Sequence, residues 1–129
     1  MSHPNATLLR HGYDLFAKGD VAGFFALCTP DIRFYVPGNG LLSGTFTATE
    51  FVAALGPAMG AVGGTFREEV LRIVADDESA CVLAAQRVVR DGKEHRWNAV
   101  HLYRIVGGKL AEFREYTDDQ AAFEAAWHR

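Results

Sequence analysis

Apolar and polar residues alternate over long segments in the second half of the chain, and these segments are rich in Val and aromatic residues. Alternation with a period of two is typical of a half-buried strand. The pairs Asp91-Gly92 and Gly107-Gly108, which favour tight hairpin turns, separate the last three segments. The pattern therefore predicts a meander of four antiparallel strands. They span residues 65–75, 79–90, 94–106 and 109–117.

The first third of the chain predicts two helices. Gly19 is a plausible stop for the first, and Asp20 can then cap the second, which Pro30 ends. The apolar residues of the first helix recur at helical spacing. They are Ala6, Leu9, Tyr13, Phe16 and Ala17.

A short strand and two further helices complete the predicted elements. Residues 32–36 alternate as a strand. Thr47 and Glu50 have the spacing of a capping box that opens a third helix. A second box at residues 117–120 opens a final helix that contains Trp127. Helices first, a strand meander next and a closing helix predict an α+β fold in one domain of residues 1–129. The sheet should curve around its helices, and the space between is either packed or left as a cavity.

Composition narrows the classes of partner. The net charge of −3 and the pI near 5.9 argue against nucleic acid or an anionic membrane. No apolar run approaches the roughly 20 residues of a membrane span, and the N-terminal segment lacks the pattern of a secretory signal. We therefore expect a cytoplasmic protein. No spacing of His, Cys and acidic residues indicates a metal, and no glycine fingerprint indicates a nucleotide, so no cofactor is expected.

Asp118 is the first candidate for chemistry. It follows the last predicted strand directly. If the end of this strand lies at the mouth of a pocket, the carboxyl group could act there as general acid or base. The alternative is a capping role at the helix N-terminus. Arg114 and Tyr116 share its strand parity and could supply an ion-pair partner and a phenolic donor, or could form cross-strand pairs on the outer face.

The strand around Trp97 carries two further polar candidates. Asn98 lies in an apolar stretch, where a buried amide must be hydrogen-bonded. It could orient a ligand carbonyl or hydroxyl, or bond to Tyr116 or to backbone. If the strand is regular, His101 points to the opposite face from Asn98 and away from the cavity, unless a bulge reverses it.

The order of elements and two runs of residues are similar to the SnoaL-like branch of the nuclear transport factor 2-like superfamily. The runs are DIRFYVPG at 31–38 and DGKEHRWNAVHLYRIVGGKLAEFREYTD at 91–118. The resemblance implies a curved antiparallel sheet wrapped around three helices, with a cone-shaped pocket, as in a cystatin-like α+β barrel. It also implies a homodimer through the outer face of the sheet.

Carried over by position, the resemblance places Asn98 and Val100 in the cavity and makes Asp118 the general acid/base of a cyclase-like enzyme. The residues expected to line the pocket are Phe16, Phe34, Val36, Leu55, Val100, Arg114 and Trp127. Val36 and Val100 stand where ketosteroid isomerases place their two acids, so steroid isomerisation by that mechanism is disfavoured.

Two functions remain open from the sequence. The first is a cofactor-free isomerase, cyclase or dehydratase for an apolar substrate that bears a carbonyl or hydroxyl group. In it Asp118 would move a proton while Asn98 and Tyr116 hold the developing oxyanion. The second is a non-catalytic ligand-binding or dimerisation module of the same fold.

Overall fold

The structure is a computed structural model that describes residues 2–129, over which the chain forms four helices and six strands. The helices are α1 (Pro4–Ala17), α2 (Val21–Phe25), α3 (Ala48–Ala61) and α4 (Gln120–Trp127). The strands are β1 (Cys28–Val36), β2 (Gly44–Thr47), β3 (Arg67–Ala75), β4 (Ser79–Arg90), β5 (Lys93–Val106) and β6 (Lys109–Thr117).

All strands belong to one curved, unclosed sheet with the order β2-β1-β6-β5-β4-β3. Neighbouring strands in the sheet are antiparallel, except for β1 and β6, which are parallel. The hairpin between β4 and β5 turns at Asp91 and Gly92, whose φ angles are 53° and 76°. These positive angles suit the two-residue turn predicted there. The α+β class and the four-stranded meander are therefore confirmed.

The predicted helix ends are confirmed in part. The Thr47 side chain accepts from the Glu50 backbone and the Glu50 side chain accepts from the Thr47 backbone, which is the expected capping box. The box predicted at 117–120 is wrong, because Asp119 is the N-cap of α4 and accepts from the Ala122 backbone at 3.0 Å. Helix α2 already ends at Phe25, and Pro30 lies within β1 instead of ending a helix.

The helices cover the inner face of the sheet, where the largest fully buried side chains lie. Trp127 at the end of α4 is 1% exposed, and its carbonyl accepts from the Leu41 backbone at 2.8 Å. A Cβ on Gly40 would stand 2.6 Å from that carbonyl oxygen, so this approach of loop to helix requires glycine. Between residues 2 and 129, no helix is both long and apolar enough to cross a bilayer.

Candidate functional site

The odd-numbered residues of β5 face the interior. Trp97, His101 and Tyr103 are buried, whereas Asn98 and Val100 are exposed. The predicted orientations on β5 are therefore reversed. The prediction that Asn98 and Val100 lie in the cavity is wrong, and so is the prediction that His101 points away from the cavity. The even positions of this strand also carry the exposed residues Arg96 and Arg104, and burying two guanidinium groups without partners would be costly.

A cavity of about 90 Å³ lies between the inner face of the sheet and the helices. Most of its wall is apolar and aromatic. Five of the residues predicted from the sequence line it: Phe16, Phe34, Val36, Leu55 and Trp127. The remaining lining is Tyr13, Phe24, Phe25, Leu42, Phe51, Met59, Phe66, Glu68, Gln86, His101, Tyr103, Phe113, Glu115 and Phe123.

His101 is the centre of the polar part of this wall. Strand pairing sets it directly opposite Glu115 on β6, and its Nε2 lies 3.2 Å from Glu115 Oε2. Its Nδ1 is hydrogen-bonded to the hydroxyl of Tyr13 on α1, which lies 2.8 Å from the hydroxyl of Tyr103. The four side chains form a continuous row, Glu115–His101–Tyr13–Tyr103, that joins the sheet to α1.

The His101–Glu115 ion pair leaves part of its hydrogen-bonding capacity unused. The side chains of His101 and Glu115 are only 5% and 9% exposed. The Nε2–Oε2 contact is close, but it does not have hydrogen-bond geometry. Among residues 2–129, neither His101 Nε2 nor Glu115 Oε1 has a hydrogen-bond partner. Buried polar atoms in folded proteins are rarely left in this state.

Burial and nearby charges shift the pKa values of His101, Tyr13 and Tyr103. Burial alone would lower the pKa of His101, but contact with Glu115 and the charges of Glu115 and Glu68 outweigh it, so the net pKa is raised. This favours the imidazolium. Burial raises the pKa of Tyr13 and of Tyr103 well above the ordinary value, so both phenols stay neutral and can donate.

A second polar row crosses the neighbouring strands. Glu68, Gln86 and Trp97 are paired side by side on β3, β4 and β5. The Trp97 indole donates to Gln86 Oε1 at 2.7 Å, and the Gln86 amide donates to Glu68 Oε2 at 2.5 Å. Because the indole can only donate, it fixes the orientation of the Gln86 amide. Burial raises the pKa of Glu68 despite the lowering effects of His101 and Gln86.

Asp118 and Asn98 come together, but outside the cavity. Both are exposed and line an open cleft on the surface. Asp118 Oδ1 accepts from the Asn98 backbone at 2.7 Å, and its Oδ2 accepts from the Asn98 amide at 3.2 Å. The pocket position predicted for Asp118 is therefore wrong, because this carboxylate does not line the cavity. The carboxylate instead closes the end of the β5–β6 ladder. The capping role at the helix N-terminus is wrong for Asp118 as well, because Asp119 is the N-cap of α4.

Arg114, Tyr116 and Val100 also lie on the outer face. Tyr116 is 54% exposed and Val100 is 37% exposed. The Arg114 guanidinium bonds to Glu112 at 2.9 Å and stacks 4.0 Å above the ring of Tyr35. The cavity positions predicted for Val100 and Arg114 are wrong, because all three share the outward parity of their strands.

Sequence reasoning missed Glu115, Glu68 and Gln86 as candidates. A signal for Glu115 and His101 was present in the two-residue turn at Gly107-Gly108. Counting back from this turn, and allowing one bulge near Arg104, sets His101 opposite Glu115. Gln86 opposite Trp97 follows from the Asp91-Gly92 turn in the same way.

The SnoaL-like domain model matches residues 9–113. The chain therefore belongs to the SnoaL-like family, as the resemblance predicted, and this family binds small molecules. An uncharacterized protein of Mycobacterium tuberculosis is 29% identical over 122 residues, which is 93% of each chain.

Solved structures agree with the fold. A protein of unknown function with a cystatin-like fold from Xanthomonas campestris has a TM-score of 0.86 and 26% identity, and 100% of both chains is covered. TerC, co-crystallized with polyporic acid, has a TM-score of 0.83 and 21% identity over 96% of this chain and 98% of its own. The expected cystatin-like α+β architecture is thus confirmed.

Proposed function

We propose that the protein is a cofactor-independent acid–base catalyst for a small apolar molecule that bears a carbonyl or hydroxyl group. The observation that carries this proposal is the buried His101–Glu115 pair, with one unpartnered polar atom on each residue, in an aromatic cavity. A cation that can donate beside a carboxylate that can accept is the minimum apparatus for proton transfer next to a carbonyl.

The chemistry divides between the two side chains. Glu115 Oε1 takes a proton from the carbon next to the substrate carbonyl, while His101 Nε2–H donates to the carbonyl oxygen as it becomes an enolate. Glu115 then returns the proton to the same or a conjugated carbon, so the net reaction is exchange or isomerisation. The low-dielectric aromatic wall strengthens both interactions.

Tyr13 and Tyr103 hold the imidazolium in place. When His101 is protonated, its Nδ1–H donates to the Tyr13 oxygen, and the Tyr13 hydroxyl can donate onward to Tyr103. This arrangement fixes the ring so that Nε2 stays next to Glu115. The co-crystal of TerC with polyporic acid supports a small-molecule ligand for this fold.

The test is hydrogen exchange at C2 of cyclohexanone, a one-ring ketone, in D₂O, followed by proton NMR. We expect the wild-type protein to exchange these protons faster than buffer, and Glu115→Gln to lose roughly 10²-fold or more of that rate, because the amide cannot act as a base. Asp118→Asn is the control, since it removes the exposed carboxylate that the sequence singled out. A wild-type rate equal to buffer, or a loss confined to Asp118→Asn, would contradict the proposal.

We also propose that two copies pair through the outer face of the sheet. Val100 is exposed and lies directly opposite Leu83 and Tyr116, so an apolar patch crosses β4, β5 and β6. Val100→Asp should convert the dimer to a monomer in sedimentation velocity, because it sets an unpaired charge in the patch. A monomeric wild-type protein at micromolar concentration would refute this pairing.

A further inference from the structure

Two unpartnered atoms make opposite demands on a ligand in the cavity. His101 Nε2–H requires an acceptor, and Glu115 Oε1 requires a donor. Both side chains are more than nine-tenths buried and both line the cavity. Within the part of the chain that the structure describes, neither atom finds a hydrogen-bond partner. A ligand that satisfied only one of them would leave the other desolvated and unpaired, which is costly.

A hydroxyl group meets both demands with one oxygen. Its lone pair accepts from His101 Nε2–H, and its proton donates to Glu115 Oε1. A carbonyl or ether oxygen can only accept, and would leave the carboxylate oxygen unmatched. The juxtaposition of a cationic donor and an anionic acceptor therefore selects for a hydroxyl.

The wall next to this pair is built from aromatic rings. The Phe113 ring lies 4.8 Å from the His101 ring and 5.4 Å from the Phe34 ring, measured between centroids. Phe34 and Phe51 are stacked at 4.5 Å with planes 2° apart. A flat ring beside them would gain edge-to-face or offset contacts at the same range of distances.

The size of the cavity limits the ligand. A volume of about 90 Å³ is of the same order as the roughly 150 Å³ of an engineered apolar cavity that binds benzene. This is the scale of a single substituted ring.

We propose that the cavity is a binding site for one-ring phenols, with the phenolic hydroxyl held between His101 Nε2 and Glu115 Oε1 and the ring against Phe34 and Phe113. This inference rests on the proposed function, because the same two atoms that would move a proton also select the ligand. It adds to that function a class of ligand for the same two atoms, because a phenol has the hydroxyl of the enol that the proposed reaction forms.

The experiment compares the affinities of p-cresol, p-xylene and trans-4-methylcyclohexanol by ligand-observed NMR. p-Xylene has nearly the shape of p-cresol without the hydroxyl, and the cyclohexanol keeps the hydroxyl without the aromatic ring. We expect p-cresol to bind at least about tenfold more tightly than either, because an unmatched buried polar pair costs at least that much.

Glu115→Gln should bring p-cresol and p-xylene to within about threefold of each other, because the carboxylate that accepts the phenolic proton is gone. Glu112→Gln is the matched control, since it is the same substitution on the outward face of the same strand, and it should keep the wild-type preference. Circular dichroism of each variant verifies that it is folded.

Equal wild-type affinities for p-cresol and p-xylene, binding of neither, or a preference that persists in Glu115→Gln would overturn the phenol site. Equal affinities for p-cresol and the cyclohexanol would overturn its aromatic part. The ketone exchange is measured separately, so active exchange without a phenol preference would leave the proposed function standing while this inference fails.

Discussion

The two faces of the sheet differ in whether their polar side chains have partners. On the outer face, Asp118 and Asn98 satisfy each other and are open to water. On the inner face, His101 and Glu115 are buried, and one polar atom on each has no partner among residues 2–129. A structural role accounts for the exposed pair, because its two side chains satisfy each other. The buried pair has unused hydrogen-bonding capacity and is therefore suited to binding a ligand.

Matched substitutions on adjacent strands should show this contrast in stability. Val82 is fully buried and lies opposite His101, whereas Val100 faces outward on the next strand. Val82→Ala should lower the free energy of unfolding by about 2 kcal/mol, through lost burial and the space left behind. Val100→Ala should change it by about 0.5 kcal/mol or less.

Urea denaturation of both variants checks this pair, at a protein concentration low enough to keep the chain monomeric. Equal losses at the two positions would mean that the inner face is not the better packed one.

The inner face should also make stability depend on pH. The pKa of His101 is raised in the folded protein, with Tyr13, Glu115 and Glu68 as its titratable surroundings. Its stabilising contribution is therefore complete below the unfolded pKa, near 6.5, and is lost as the pH rises through the folded pKa. Glu68 acts in the same direction from about pH 4.5 upward, since its pKa is raised too.

The free energy of unfolding should accordingly fall between pH 6 and pH 8, and His101→Gln should flatten this dependence. Urea titrations at the two pH values measure it. A wild-type protein that gains stability over this interval would contradict the electrostatic description of the cavity.

Much of the architecture could be predicted because local chemistry determines it. The glycine turns at 91–92 and 107–108 and the Thr47–Glu50 box act over two to four residues, and the structure has them where the sequence indicates. The lining by Phe34 and Trp127 was expected from the resemblance, and both residues line the cavity. These features do not depend on which face of β5 is buried.

The polar site could not be predicted with the same security, because both faces of β5 carry apolar residues. Val100 and Leu102 on one face compete with Trp97 and Tyr103 on the other, and a shift of one residue exchanges the two sets. The family positions carried over from the resemblance favoured the wrong face. Arg96 and Arg104 could have identified the exposed face of β5, because two guanidinium groups stay in water unless they are paired.

The central claim is that ligands meet His101 inside the cavity and not Asn98 outside it. The most direct measurement follows the ring ¹⁵N shifts of His101 and the side-chain amide of Asn98 while p-cresol is added. We predict that the Nε2 resonance of His101 moves with saturation and that the Asn98 amide stays unchanged. A titration that moves the Asn98 amide and leaves His101 unaffected would contradict the account.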